Sequence, residues 1–299
     1  MLLKDFLKEG ISRLEPLYPA AEARNNLVLL CEYRLGTSRY THLVDPEYTI
    51  KPRFLPGLLK DLDRLSSGEP VQYVTGYAEF RGRRFMVNKD VLVPRPETEL
   101  LCEEAVRIGT GLRRKREIYG ESGPLRILDL CTGSGCIAWS MALDIPGSEV
   151  YGMDISEKAL AVALEQDFSA GMKESGAIVP TFMIADVLGD PPSFEGLKFD
   201  IILSNPPYIL ESQKKDLRSN VLDFEPHLAL FVSDDDPLVF YRAVARWSKA
   251  LLADGGTGMV EINELLGPQT REVFLDYGFT RVDVRNDFSG KNRFISFAK

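Results

Sequence analysis

From Leu125 to the end of the chain, short apolar runs alternate with stretches of helical spacing, and this alternation is what most limits the possible folds. Leu125–Leu130, Glu149–Asp154, Pro180–Ala185 and a run opening at Phe199-Asp200-Ile201-Ile202 read as buried strands, with Cys136–Leu143 resuming as a helix after the first. Beyond them come a helix over Pro237–Leu252, a turn at Asp254-Gly255-Gly256, a strand over Gly258–Ile262 and a helix over Gly267–Tyr277. Closing strands over Thr280–Val284 and Arg293–Ala298 finish the pattern. Strands separated by helices pair in parallel and are covered on both faces. The expected class is therefore α/β, a doubly wound, Rossmann-like sheet of seven strands.

The first seventy residues read differently. Leu2, Leu3, Phe6, Leu7, Ile11, Leu14 and Leu17 make one apolar helical stripe. A second helix runs from about Ala20 to Gly36, and shorter ones are expected near Thr37–Leu43 and from Pro52 to Leu65. A small helical bundle results, fit for substrate recognition, a lid or a plain structural cap. Glu69–Gly76 breaks the helical pattern, and Tyr77–Phe80 with Arg84–Val87 form a β-hairpin. The expected organisation is a helical bundle over 1–70, a hairpin linker over 71–94 and the α/β domain over 95–299. A helix from about Glu97 carries Leu100, Leu101 and Ala105. Arg95, Glu97 and Glu99 cluster at its start, where capping and salt bridges account for them.

Composition excludes several classes. No apolar run approaches the roughly 20 residues of a membrane span. The N-terminus alternates charged and apolar residues, so it is no secretory signal. Four cysteines form no CxxC pair and only two histidines are present, so no metal site is expected. Reduced thiols in a cytoplasmic protein are the simplest reading. The net charge of -8 argues against a duplex nucleic-acid binder, and Arg113-Arg114-Lys115-Arg116 reads as a solvated loop.

Chemistry gathers at the carboxyl ends of the strands. Cys131-Thr132-Gly133-Ser134-Gly135 follows the first, and glycines there let a ligand approach the backbone ahead of a helix N-terminus. Asp154 ends the second strand about 20 residues later, where a carboxylate can accept both hydroxyls of a ribose. Gly133–Ala138 also satisfies the GxGxx(G/A) dinucleotide pattern, which keeps a nicotinamide or flavin nucleotide open. Asp186 and Val187 end the third strand, placed to meet a base, though Asp186 could equally cap the next turn. The fourth strand stops at Asn205-Pro206-Pro207-Tyr208, because prolines cannot donate to a sheet ladder. A plain Pro-rich turn would read the same way. A side-chain amide beside unpaired carbonyls nevertheless makes a receptor for an NH2 group.

Together these residues resemble the class I methyltransferases that use S-adenosylmethionine. Pro70–Gly76, Glu79-Phe80, Leu92–Glu99, Asp129–Gly135, Ser204–Ile209 and Phe224-Glu225-Pro226 resemble the PrmC (HemK) family, the glutamine N5-methyltransferases of bacterial peptide chain release factors. Asn-Pro-Pro-Tyr is shared with adenine-N6 DNA methyltransferases and a ribosomal-protein glutamine methyltransferase, whereas Arg95-Pro96-Glu97-Thr98 favours release factors. The resemblance implies a monomer that methylates the Gly-Gly-Gln glutamine of class 1 release factors and binds no nucleic acid directly. It places the cofactor's methionine over Cys131, Thr132, Gly133, Ser134 and Gly135, its ribose on Asp154, and its adenine between Asp186 and Val187, with Asn205 also beside it. Asn205 and Pro206 would hold the glutamine amide, with Pro207, Arg95 and Glu97 also facing substrate and Tyr208 near the methyl group. The implied bundle grips the release factor. Cys131 replaces the family's first loop glycine, so a φ compatible with a side chain is expected there. Val187 stands where a larger or aromatic residue is common. A nicotinamide-dependent oxidoreductase, a DNA methyltransferase and a non-catalytic binding module are the competing readings.

Overall fold

The computed structural model describes residues 1–194 and 196–299. They group into two compact units: Met1–Tyr77 with Leu217–Phe224, and Ala78–Asp216 with Glu225–Lys299.

The first unit is helical: α1 (Leu3–Leu14), α2 (Ala20–Leu35), α3 (Thr41–Val44), α4 (Leu55–Ser66) and α5 (Val71–Thr75). Leu3, Phe6, Leu7 and Leu14 recur at helical spacing, so α1 buries one face. Gly10 on that face lets α2 approach, since a Cβ there would come within 2.8 Å of the Leu27 methyl groups. Gly36, at φ 66, closes α2. The third helix starts later than its sequence suggests because the Ser38 amide is taken by the Thr41 side chain, making a turn first. The expected break over Glu69–Gly76 is instead a further helix. Pro70 precedes its first residue and Gly76, at φ 81, ends it, so the two supposed breakers act as start and stop. Val71 and Val74 join the core of this unit.

The second unit opens, from the second residue of β1 (Tyr77–Phe80), with a ribbon of β1 and β2 (Arg83–Met86), turned by Arg81 and Gly82 at φ 50 and 69. Helix α6 (Pro96–Tyr119) is longer than expected and carries the basic cluster in its last turns, which corrects the loop reading. Arg113 donates to the Pro146 carbonyl, and Arg116 pairs with Asp200 at 2.6 Å, so these cations fasten the helix to the sheet. In order follow β3 (Arg126–Leu130), α7 (Cys136–Asp144), β4 (Glu149–Asp154), α8 (Glu157–Leu164), α9 (Ser169–Ser175), β5 (Thr181–Ile184) and β6 (Phe199–Ser204). Next come β7 (Ile209–Leu210), α10 (Ser219–Leu222) of the first unit, α11 (His227–Leu230) and β8 (Phe231–Val232). Finally come α12 (Val239–Leu251), β9 (Leu252–Glu261), α13 (Gly267–Asp276), β10 (Thr280–Asn286) and β11 (Asn292–Ala298).

Seven strands form one sheet in the order β10-β11-β9-β6-β3-β4-β5. The five from β9 to β5 run parallel, and β11 is antiparallel to β9. This is the doubly wound, seven-stranded sheet that the alternation of strands and helices predicts. Side chains alternate across it: Ile127, Ile201 and Leu203 pack on one face, Leu128 and Ile202 on the other. The turn expected at Asp254–Gly256 is an excursion inside β9. Phe199 pairs with Leu252 but Ile201 with Thr257, so the extra residues bulge out, with Gly255 at φ 75. Strand order reverses at β3, which lies between β4 and β6, and a crevice opens there beyond the strand ends.

Candidate active site

Four strand ends line one cavity in the second unit. Leu130 ends β3 and 131–134 follow it, Asp154 ends β4 with Ile155 and Ser156 after it, 185–188 follow β5, and Asn205 with Pro207 follow β6. Arg95 and Thr98 close it from the start of α6.

The loop after β3 is shaped from within. Asp129, fully buried in the strand, accepts the Thr132 hydroxyl at 2.5 Å and the Ala138 amide at 3.2 Å on one oxygen. Its other oxygen has no hydrogen-bond partner among the described residues. Burial pushes this carboxyl up to about 7, against the pull of those two donors. Gly133 takes φ 55, and a Cβ built on it meets nothing within 4 Å, so this peptide lies open. Cys131 takes φ 61, the left-handed region, so the expected accommodation of its side chain is not met and the residue is strained. Burial also pushes its thiol far up, keeping it protonated. Gly135 is not on the cavity wall. It starts α7 at φ 77, packed so that a Cβ would meet Ala163 and Phe182 within 3.1 Å.

Asp154 accepts the Gly133 amide at 2.9 Å on one oxygen and the Ser156 amide at 2.9 Å on the other. Burial raises its pKa, and the backbone donors oppose that rise. Asp186 spends one oxygen on the Leu188 amide at 2.9 Å, so it both caps its turn and lines the cavity. Val187 is buried on the same wall.

The corner after β6 is held from behind. Asn205 Nδ2 donates to Thr98 Oγ1 at 3.1 Å, and that hydroxyl donates to Glu261 Oε2 at 2.7 Å. Tyr208 donates its hydroxyl to the other Glu261 oxygen at 2.9 Å, and Asn263 Nδ2 donates to the Tyr208 carbonyl at 3.0 Å. Tyr208 and Pro206 are therefore not on the cavity wall, and neither is Glu97. Burial pushes the Tyr208 phenol well above its ordinary range, and Glu261 upward against its two hydroxyl donors. Arg95 lines the cavity and pairs at 2.7 Å with buried Glu225, which also accepts the Val93 amide. Its salt-bridge reading thus has a named partner. Thr98 and Glu225 stood in the sequence only as members of motifs, with no role of their own, and Glu261 and Asn263 were not singled out. The one available signal was Glu261, a lone acid ending an apolar strand at the sheet's ligand edge.

Among the described residues no group of ligands could hold a metal, and no helix is long and apolar enough to cross a membrane.

Residues 5–76 match the PrmC N-terminal domain, and residues 122–264 match a methyltransferase domain. A release factor glutamine methyltransferase of Bacteroides thetaiotaomicron is 38% identical over 95% of this chain and 95% of its own. One of Flavobacterium psychrophilum is 34% identical over 99% and 98%. The chain belongs to the release factor glutamine methyltransferase family. As a member it is a methyltransferase, and its methyl donor is S-adenosylmethionine. The cavity fits that donor. Asp154 accepts the Gly133 and Ser156 amides on separate oxygens, and a carboxylate has about four acceptor sites, so it keeps capacity for a ribose hydroxyl. The open Gly133 peptide admits the molecule's body, and Ile155 with Val187 offer apolar surface to a ring.

Proposed function

We propose that this chain transfers a methyl group to the side-chain amide nitrogen of the Gly-Gly-Gln glutamine in class 1 peptide chain release factors. The observation that carries the reading is the held carboxamide of Asn205. Its Nδ2 is committed to Thr98, which leaves Oδ1 as the acceptor of a side chain that lines the cavity.

When bound, S-adenosylmethionine supplies an electrophilic methyl on a cationic sulfur. The chain's difficulty lies with the nucleophile, because an amide lone pair is delocalised into its carbonyl. Asn205 Oδ1 accepts an N–H of the glutamine, which orients the nitrogen and stabilises positive charge as it builds there. Pro206 and Pro207 have no N–H, so this corner offers acceptors without a competing backbone donor. Tyr208 stays a neutral phenol and braces Glu261, so it is not the base. Asp154 and the Cys131–Gly135 loop hold the donor, with Asp186 and Val187 at its adenine. Arg95, held by Glu225, and Glu97 at the start of the same helix face the incoming loop of the substrate.

In this reading residues 1–70 grip the release factor, 71–94 join that bundle to the catalytic domain, and 95–299 carry catalysis. The enzyme acts as a cytoplasmic monomer without direct nucleic-acid contact. Transfer of a labelled methyl group from S-adenosylmethionine to a purified release factor tests it. Label should enter the wild-type factor and not one whose Gly-Gly-Gln glutamine is replaced by Ala. Equal labelling of both would sink the assignment.

A further inference from the structure

Asn205 has two ways to lie, and only one is useful. A carboxamide is nearly symmetric in shape, so packing alone does not choose whether Oδ1 or Nδ2 faces a ligand. Facing a substrate NH2, an oxygen attracts and an amino group repels. Something in the structure has to make the choice.

The bonds behind Asn205 make it. Glu261 is fully buried at the end of β9, and each of its oxygens receives a hydroxyl, Thr98 on one and Tyr208 on the other. A hydroxyl has one proton. Thr98 spends its proton on Glu261, so its oxygen can only accept from Asn205. Asn205 must then turn Nδ2 inward, as the 3.1 Å contact records, and Oδ1 outward. Thr98 is itself buried, at 2% exposure, so water does not compete for that oxygen. The remaining charged neighbours of Glu261 are Arg293, which favours its carboxylate, and Glu97, which opposes it.

We propose that Thr98 and Glu261 are positioning residues that set the polarity of the Asn205 carboxamide, and with it the preference for an amide over a carboxylate substrate. The assignment rests on the glutamine-methylation reading. A carboxylate at Glu261 fixes one direction of donation from Thr98 to the site. A side chain there that can donate permits the reverse direction, in which Thr98 donates to Oδ1 and Nδ2 faces the substrate. The reversed site repels a glutamine NH2 and suits a glutamate oxygen.

Four proteins test this: wild type, Thr98→Val, Thr98→Ser and Glu261→Gln. Each is assayed for methyl transfer to a release factor, for S-adenosylmethionine binding, and for binding of release-factor loop peptides carrying Gln or Glu at the acceptor position. Wild-type turnover on the factor tests the reading itself, and its absence overturns the reading and this proposal together. Given wild-type turnover, Thr98→Val should lower kcat by about 10–100-fold, with KM and donor affinity within about threefold. Thr98→Ser keeps the hydroxyl and should stay within about threefold of wild type. The Gln-over-Glu peptide preference should fall at least about fivefold in both Thr98→Val and Glu261→Gln, a change that loosened packing would not direct. Should Thr98→Val not fold, the Glu261→Gln preference and the Thr98→Ser turnover decide by themselves. An unchanged Gln-over-Glu preference in Glu261→Gln, or Thr98→Ser falling as far as Thr98→Val, overturns the proposal.

Discussion

Two neighbouring loops at the mouth of the sheet solve opposite problems. The loop after β3 is built with glycines and presents N–H groups, one of which already meets Asp154. The loop after β6 is built with prolines, which have no N–H, and presents oxygens. Their strands are hydrogen-bonded partners, Leu130 beside Ser204, so a donor surface and an acceptor surface lie side by side. One loop needs backbone freedom to wrap a nucleoside, and the other needs stiffness to aim at a nitrogen. On the proposed reading, the donor-rich loop serves the cofactor and the acceptor-rich loop serves the nucleophile.

The largest effect should come from blunting the acceptor loop. Asn205→Ala should lower kcat about 10²–10³-fold while cofactor affinity moves only a few-fold. Turnover within a few-fold of wild type would erase the division between the loops. Asp154→Ala should do the reverse, weakening S-adenosylmethionine binding by about 10–100-fold through two lost charge-assisted bonds, with kcat at saturation changed less. Calorimetric titration of both variants measures the contrast directly.

A third test reads the brace behind the donor loop. Asp129 holds its proton up to about pH 7 in the folded chain but only to its ordinary 3.8 when unfolded. Between those values the native state carries a proton that the unfolded state has lost, so stability should fall as pH rises through that window and level off above it. Asp129→Asn has no such proton to lose. Its unfolding free energy should therefore change by about 3–4 kcal/mol less than wild type between pH 4 and pH 7.5 in urea titrations. Parallel pH curves for the two proteins would place the titration elsewhere. The smallest effect belongs to Cys131→Gly, which relieves a left-handed φ and should raise stability by about 1 kcal/mol or less. A thermal midpoint that drops instead would mean that the thiol's packing outweighs the strain.

The sheet, the strand-end positions of Asp154, Asp186 and Asn205, and the two contrasting loops were legible because each is a local signal. A run of apolar residues, a glycine after a strand and a proline pair all act through the backbone of their own neighbourhood. Local signals also misled. Pro70 and Gly76 punctuate a helix as readily as they break one, and Arg113–Arg116 look like a solvated loop until Asp200 and Pro146 are seen to hold two of them.

By itself the sequence determined the seven strands of the main sheet, the stop of β6 at its prolines, and which loop carries donors and which acceptors, since backbone chemistry is written residue by residue. Only the tertiary structure decided how Asn205 is turned. That orientation depends on Thr98 meeting Glu261 across 163 positions of chain, and a hydrogen bond's direction exists only once both partners are in place.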